Sequence, residues 1–149
     1  MSGRILIVDD EPANVFLLEA MLEHTAGEIR SLNDSRRVEQ VFAEFEPDIV
    51  LLDLHMPDPD GLEVLRRLRS ARTSLGFLPV IVLTSDTGRV ARNSALILGA
   101  DDFLTKPLDR DEVVLRVRNL LRTRQLYAEL ARANAALQQR RERTIQPEG

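Results

Sequence analysis

The 149-residue chain contains no cysteine, no tryptophan and only two histidines. The lack of cysteine excludes disulfide bonds, thiolate metal sites and cysteine nucleophiles, and two histidines do not favour a histidine-built zinc site. Aromatic residues are 4% of the chain, which argues against a stacking platform for single-stranded nucleic acid. No apolar run approaches the ~20 residues of a membrane span, and Arg4 leads into a short strand-like run rather than a signal-peptide core. These absences predict a cytoplasmic protein that does not enter a membrane.

Lysine is almost absent as well. The chain has nineteen arginines but a single lysine, Lys106. An ammonium is a compact point charge that suits one carboxylate or phosphoryl oxygen in a tight pocket, which a guanidinium does not. The position of Lys106 just before a proline, at the end of an apolar run, therefore favours a functional role over compositional chance.

The remaining composition is that of a folded domain, because 44% of residues are hydrophobic and 30% are charged. The length suits one domain, or one domain with an appendage. Charge is unevenly distributed: residues 1–109 have a net charge of −8, and residues 110–143 have a net charge of +5. An acidic globular part is thus followed by a basic tail.

Short continuous apolar runs predict strands that are buried on both faces of a parallel sheet. These runs are residues 5–8, 49–52, 80–83 and, more weakly, 103–104. A further strand is expected around Glu28 to Leu32. Segments with 3.6-residue periodicity lie between the runs, and the last one begins near Asp109. This alternation predicts an α/β fold, a doubly wound five-stranded parallel sheet with right-handed crossovers and an elongated last helix.

Polar residues follow the predicted strands. Asp9-Asp10 follows the first strand, Asp53 ends the third, Thr84 ends the fourth and Lys106 ends the fifth. Ligands of open parallel sheets bind at the carboxyl ends of the strands, so these side chains are expected to converge. Clustered carboxylates repel one another, and Mg²⁺ relieves that repulsion. An ammonium and a hydroxyl beside the metal would complete a cradle for a phosphoryl group, with a carboxylate as its acceptor.

At these positions the chain resembles the receiver domains of two-component response regulators. The resemblance covers residues 4 to about 121, in order and at the family's usual spacing. Its segments are Ile5 to Pro12, Asp53 to Pro57, Asp60-Gly61, Thr84-Ser85, Gly99 to Leu104 and Lys106-Pro107. It implies a flavodoxin-like strand order of 2-1-3-4-5.

The resemblance also implies an acceptor and a metal site. Asp53 would accept a phosphoryl group from a sensor histidine kinase or a phosphotransfer protein. Asp10, Asp53 and the backbone carbonyl of His55 would bind Mg²⁺ directly, and Asp9 would bind it through a water. Beyond its own phosphorylation and dephosphorylation, such a protein would not be an enzyme.

A switch is implied by the same resemblance. Thr84 would hydrogen-bond the phosphoryl group, Lys106 would pair with it, and the aromatic ring of Phe103 would rotate inward as Thr84 moves. The bond between Lys106 and Pro107 would be cis. Plainer alternatives are that Thr84 caps the next helix, that Phe103 is ordinary core and that Pro107 is an ordinary loop proline.

The basic tail predicts a helix that continues past the receiver. Neither proline nor glycine occurs from Asp109 to Arg143, so one helix of about 35 residues could extend about 50 Å. Its first half, through Leu121, is expected to pack on the sheet. Beyond it, residues at heptad positions a, d, a and d are Tyr127, Leu130, Asn134 and Leu137. Leucine at d with one asparagine at a predicts a parallel two-stranded coiled coil and hence a homodimer, the alternative being a solvated helical linker.

The predicted organisation is a receiver domain at 1–121, a helical linker or coiled-coil extension at 122–143 and a disordered tail at 144–149. We interpret the tail arginines as a solvated face rather than a nucleic-acid site. No output domain follows in this chain, so we expect a fragment of a longer regulator or a stand-alone receiver. The helical linker resembles those that precede cyclic-di-GMP enzymes.

Two other functions compete with a phosphorylated switch. A Mg²⁺-dependent phosphatase of the haloacid dehalogenase type also uses an aspartate nucleophile, but it places an Asp-x-Asp pattern after the first strand. Here that strand is followed by the adjacent pair Asp9-Asp10, and the isolated acceptor follows the third strand. The other alternative is a degenerate receiver that serves only as a docking scaffold. The intact set of acidic, hydroxyl and lysine residues argues against it.

Overall fold

Five parallel strands form one sheet, and helices cover both of its faces. The computed structural model describes residues 3–57, 59–70, 77–85 and 89–145. The strands are β1 (Arg4–Val8), β2 (Glu28–Leu32), β3 (Ile49–Asp53), β4 (Val80–Thr84) and β5 (Asp102–Thr105). The helices are α1 (Pro12–Leu22), α2 (Val38–Phe45), α3 (Gly61–Ser70), α4 (Arg89–Ile97) and α5 (Arg110–Ile145), with a 3-10 turn at Ser35–Arg37. The strand order β2-β1-β3-β4-β5 confirms the predicted doubly wound, flavodoxin-like fold.

The apolar strand runs divide into two core layers, because successive side chains of a strand point to opposite faces of the sheet. One layer contains Leu6, Val50 and Val82, together with side chains from α2, α3 and α4. The other contains Ile7 and Leu51, together with side chains from α1 and α5. Every residue of β3 and β4 is buried, as the continuous apolar runs predicted. At the edge, β2 is mostly exposed, which explains why its sequence pattern is weak.

Two helices that begin near the carboxyl edge of the sheet are capped by aspartate side chains. The Asp60 carboxylate accepts a hydrogen bond from the Glu63 N–H at 2.9 Å, at the start of α3. The Asp109 carboxylate accepts one from the Glu112 N–H at 3.1 Å, at the start of α5. Each cap satisfies a backbone donor that has no partner inside the helix. Both helices therefore start at fixed points beside the strand ends that carry the polar residues.

The packed part of α5 is longer than the sequence predicted, since it continues beyond Leu121 to Ala128, which is 6% exposed. Arg124 is 7% exposed, and its Nε lies 3.1 Å from Asp48 Oδ1 at the amino end of β3. Asp48 Oδ2 also accepts a hydrogen bond from the Arg4 N–H at 2.8 Å. One carboxylate thus joins the amino ends of two central strands to the last helix.

An aromatic pair lies at the same edge of the sheet. The ring of Tyr127 stacks on that of Phe77, with centroids 4.7 Å apart and planes 27° apart. Beyond Ala128, the described helix residues are exposed as far as Thr144. In the described part of the chain, no helix combines the length and the apolar character needed to cross a membrane.

We predict that Asp48→Ala lowers the free energy of unfolding by about 2 kcal/mol or more. The change leaves the buried guanidinium of Arg124 and the Arg4 N–H without their shared acceptor. Arg124→Met is expected to cost less than about 1 kcal/mol, because it keeps the apolar stem and leaves Asp48 partly solvated. Urea unfolding of both variants measures the difference. A larger loss for Arg124→Met than for Asp48→Ala would contradict this account of the contact.

Candidate functional site

The polar strand ends meet at one edge of the sheet, as expected for parallel strands. Asp9 follows β1, Asp53 is the last residue of β3, Thr84 is the last of β4, and Lys106 follows β5 by one residue. Lys106 N–H donates to the Thr84 carbonyl at 2.9 Å, which continues the pairing between the two strands beyond β5. Residues that are far apart in the chain are therefore neighbours here because of the strand order.

Asp53 lies at the centre of this group and is 2% exposed. Its Oδ1 accepts a hydrogen bond from the His55 N–H at 3.0 Å. Its Oδ2 lies 3.4 Å from Lys106 Nζ, in the ion pair that the sequence had suggested for the only lysine. The Lys106 side chain is 19% exposed, so water screens this pair only in part. The charge of Asp53 is therefore balanced by an ammonium and by a backbone donor.

Asp9 and Asp10 add two more carboxylates beside Asp53. Each of the three offers an oxygen that lies within 4.8 Å of those of the other two. Asp9 is fully buried, and Asp10 is exposed. Such crowding concentrates negative charge, which is unfavourable unless a cation neutralises it.

Burial raises the pKa of Asp9 to about 6, and the neighbouring Asp53 carboxylate adds to this effect. The Glu11 N–H, which donates to Asp9 Oδ1 at 2.9 Å, and the charge of Lys106 act in the opposite direction. Asp9 Oδ2 is buried without a hydrogen-bond partner among the residues the structure describes. An unpaired buried carboxylate oxygen is costly in a folded protein.

The donor set fits a hard divalent cation. Three clustered carboxylates and the unpaired Asp9 oxygen supply negative charge and oxygen ligands, which Mg²⁺ prefers. Cysteine thiolates, which favour softer metals, are not present in the sequence. A cation at this point would favour the charged form of Asp9, against the burial and the neighbouring Asp53 charge that raise its pKa.

Thr84 is fully buried, and its Oγ1 lies 3.2 Å from His55 Nε2. From the sequence, His55 was expected to bind the metal through its backbone carbonyl and to face the rim of the site, but its side-chain contact with Thr84 was not predicted. Its only signal was the position of His55 two residues after Asp53, at the rim of the site. The imidazole therefore reaches the hydroxyl that the sequence had singled out on the neighbouring strand.

Phe103 is half-buried in β5 and packs against the core layer formed with α2, α3 and α4. The guanidinium of Arg92, on α4, lies over its ring, with Cζ 4.5 Å from the ring centroid. The peptide bond between Lys106 and Pro107 is cis. Sequence reasoning did not identify Arg92, because no motif distinguishes it from the other eighteen arginines.

Gly61 brings α3 into direct contact with the backbone of the acceptor strand. A Cβ at this position would lie 2.4 Å from both the Asp53 carbonyl oxygen and the Leu54 Cα. Real Cβ atoms do not approach backbone atoms so closely, so only glycine fits. In the sequence, this glycine was indicated by the Asp60-Gly61 pair, one of the segments that resemble the receiver family.

The residues predicted for the coiled coil lie away from this site, on the distal part of α5. Tyr127 is engaged with Phe77 at the opposite edge of the sheet. Leu130 and Leu137 are 57% and 56% exposed, and Asn134 is exposed as well. Asp58, five residues after Asp53, and Asp86, two residues after Thr84, lie outside the described residues.

Comparison with known proteins gives the family. The family model of the response regulator receiver domain matches residues 5–118. The response regulator PleD of Caulobacter vibrioides is 42% identical over 136 residues, which are 91% of this chain and 30% of PleD. The transcriptional regulatory protein TrcR of Mycobacterium tuberculosis is 38% identical over 119 residues, which are 80% of this chain and 45% of TrcR. The chain belongs to the response regulator receiver family.

A solved structure agrees with this assignment. The crystal structure of the BeF3-activated N-terminal receiver domain of Klebsiella pneumoniae RstA is 30% identical and superposes with a TM-score of 0.73. The match covers 80% of this chain and 99% of that one. In contrast, the chain spans less than half the length of PleD and TrcR. The receiver is thus common to these proteins and this chain, and the match with PleD is longer than the receiver alone.

The raised pKa of Asp9 predicts a pH-dependent effect of Asp9→Asn. Asp9 ionises near pH 3.8 when unfolded and near pH 6 when folded. Its protonated form therefore contributes stability that is complete below about pH 3.8 and is lost as the pH rises through about 6. In metal-free buffer near pH 7.5, we expect Asp9→Asn to raise the free energy of unfolding by about 3 kcal/mol.

Urea unfolding in the presence of EDTA, repeated from pH 4 to pH 7.5, tests this effect. The stabilities of the wild type and Asp9→Asn should converge as the pH falls toward 4. Adding Mg²⁺ near pH 7.5 should stabilise the wild type more than the variant. A variant that is no more stable than the wild type near pH 7.5 would show that burial of the Asp9 charge carries no cost.

Proposed function

We propose that this chain is the phosphoacceptor switch of a two-component system, in which Asp53 receives a phosphoryl group. The observation that carries the proposal is the contact of the buried Asp53 carboxylate with Lys106 at 3.4 Å, beside the Asp9 and Asp10 carboxylates. The donor would be the phosphohistidine of a sensor histidine kinase or a phosphotransfer protein. Membership of the receiver family supports this choice. A cytoplasmic location stays a prediction.

The transfer is a substitution at phosphorus. A carboxylate oxygen of Asp53 attacks the phosphorus atom, and the bond from phosphorus to the donor nitrogen breaks, its electron pair remaining on the imidazole. Lys106 Nζ would pair with a phosphoryl oxygen, and its contact with Asp53 Oδ2 supports this role. Positioning and charge stabilisation of this kind account for most of the catalysis in phosphoryl transfer.

Mg²⁺ is the cofactor that we propose for the acidic cluster. Asp10, Asp53 and the backbone carbonyl of His55 would hold it directly, and Asp9 would hold it through a water. When bound, the ion supplies positive charge against the phosphoryl oxygens. The protein contributes a fixed arrangement of oxygen ligands, which is supported by the three clustered carboxylates.

The switch would work through contacts that change when Asp53 gains charge. A phosphoryl group adds negative charge and strong acceptor oxygens, which attract the Thr84 hydroxyl and the Lys106 ammonium. Thr84 Oγ1 contacts His55 in the structure, so this contact would be exchanged for the phosphoryl group. Phe103 would rotate inward, and the face formed by α4, β5 and α5 would change shape. The last helix would pass this change to a partner or an output module.

We predict that the protein incubated with Mg²⁺ and acetyl phosphate gains one labile phosphoryl group, and that Asp53→Asn abolishes this gain. The amide cannot act as the nucleophile, whereas its size preserves the packing of the site. Intact mass spectrometry measures the adduct. Asp60→Asn is the matched control, because Asp60 is exposed and asparagine caps a helix as well as aspartate does.

The same assay separates the alternative functions. Steady turnover of diverse phosphate esters by the wild type would favour a phosphatase of the haloacid dehalogenase type. No adduct, together with no binding of beryllofluoride, would favour a docking scaffold. Equal phosphorylation of the wild type and Asp53→Asn would mean that the acceptor lies elsewhere.

We also propose that the distal part of α5 forms a homodimer with a second copy of the chain. Leu130, Asn134 and Leu137 are exposed at heptad spacing, which supports a short coiled-coil seam. Tyr127, the first residue of the predicted heptads, is half-exposed but stacks on Phe77. The seam would therefore begin one turn later than the sequence pattern suggested. Contacts through Ala128 favour a receiver that includes this residue, rather than one that ends at 121.

We predict that Leu130→Glu combined with Leu137→Glu shifts the protein from dimer to monomer in sedimentation equilibrium. Charges at two d positions would repel across the seam. The matched control is Ala135→Glu with Gln139→Glu, which adds the same charge at exposed b and f positions. A wild-type protein that is monomeric in the presence of Mg²⁺ and beryllofluoride as well as in their absence would refute the dimer.

A further inference from the structure

We propose that Arg92 is a positioning residue that stabilises the conformation of β5 found when Asp53 is an unphosphorylated carboxylate. Arg92 thereby opposes the conformational change that follows phosphorylation. This inference rests on the proposed function, because it assigns Arg92 a part in the same equilibrium. Arg92 lies on α4, outside the acidic cluster and outside the residues named by the family resemblance. Its contacts with two residues of β5 support this role.

The first observation is that one guanidinium contacts two side chains on one face of the switch strand. Arg92 Cζ lies 4.5 Å from the centroid of the Phe103 ring, and Arg92 Nη2 donates to Thr105 Oγ1 at 3.1 Å. Phe103 and Thr105 are alternate residues of β5, so their side chains lie on the same face. Arg92 therefore joins α4 to the strand at two successive positions.

The second observation is the burial of Arg92 Nε. This atom is buried, and no acceptor is found for it in the part of the chain that the structure covers. A buried donor without a partner is unfavourable, so the other contacts of the guanidinium must hold it in place. A cation that is partly removed from water also interacts more strongly with an aromatic ring than an exposed one does. The pair with Phe103 is thus stronger than an ordinary surface contact.

The third observation links these contacts to the site. Thr105 pairs with Thr84 in the sheet, and it immediately precedes Lys106, whose ammonium contacts Asp53. Movement of Thr84 and Lys106 toward a phosphoryl group, as the proposed function requires, would displace the strand segment that Arg92 contacts. Inward rotation of Phe103 in the proposed switch would separate the ring from the guanidinium that now lies 4.5 Å from its centroid. Both changes disrupt contacts of Arg92, so these contacts favour the state in which Asp53 is a free carboxylate.

A substitution that removes the guanidinium should shift the conformational equilibrium toward the state that phosphorylation of Asp53 favours. Arg92→Met keeps a flexible apolar stem but removes the charge and the donors. If Arg92 stabilises the carboxylate state, the variant should bind beryllofluoride in the presence of Mg²⁺ about three- to tenfold more tightly than the wild type. Arg92→Lys, which keeps a cation near the ring, should lie between the two. A titration with beryllofluoride, monitored by nuclear magnetic resonance of the protein, measures the apparent affinity.

The controls separate positioning from stability. Arg118→Met removes an exposed arginine from α5 and should leave the affinity unchanged. Loss of a purely structural contact would lower the free energy of unfolding without tightening beryllofluoride binding, so the gain of affinity is the distinguishing result. Arg92→Gln is the second variant should Arg92→Met fail to fold, and the same gain is expected. In a Phe103→Leu background, Arg92→Met should raise the affinity less than it does in the wild-type background, because only the contact with Thr105 is then left to lose.

The outcomes are distinct. Unchanged or weaker binding by folded Arg92→Met, with normal binding by the wild type, would overturn the role of Arg92 and leave the phosphoacceptor function intact. Failure of the wild type to bind beryllofluoride or to accept a phosphoryl group would overturn the proposed function and this inference together. An equal gain in Arg118→Met would show that the effect is one of net charge.

Discussion

The contact between Lys106 and Asp53 connects two strands that are not neighbours, because β4 lies between β3 and β5. Asp53 is almost fully buried, and a buried carboxylate needs compensation from charges and hydrogen bonds. One ammonium and one backbone N–H supply that compensation, while Asp9 and Asp10 work against it. The site is therefore a cluster whose charges are only partly balanced. A change of charge at Asp53 alters the electrostatic forces on the residues that end the neighbouring strands.

The fold follows from the sequence to a large extent, because local pattern and global architecture agree in it. Continuous apolar runs are required by strands that are covered on both faces, and they identified the three central strands. The edge strand β2 was the hardest to predict, because its exposed residues lack that signal. The site was predictable for a related reason. Parallel strands present their carboxyl ends together, so polar residues after several apolar runs must meet.

The features that sequence reasoning missed are contacts between side chains on elements far apart in the chain. Arg92 over Phe103, the His55 imidazole at Thr84 and the pair of Arg124 with Asp48 each depend on side-chain direction and on helix placement. The periodicity of apolar residues along the sequence does not encode these contacts. The length of the packed part of α5 was underestimated for the same reason, since the apolar pattern ends near Leu121 while an ion pair and an aromatic stack continue the packing.

The composition of the chain has a practical consequence. Its only lysine, Lys106, lies beside Asp53, and the lysine side chain is 19% exposed to solvent. Among the side chains of this sequence, the ε-amine of Lys106 is therefore the only target for reagents that acylate primary amines. Because this amine faces the Asp53 carboxylate at 3.4 Å, the rate at which it is acylated should depend on whether that ion pair is intact.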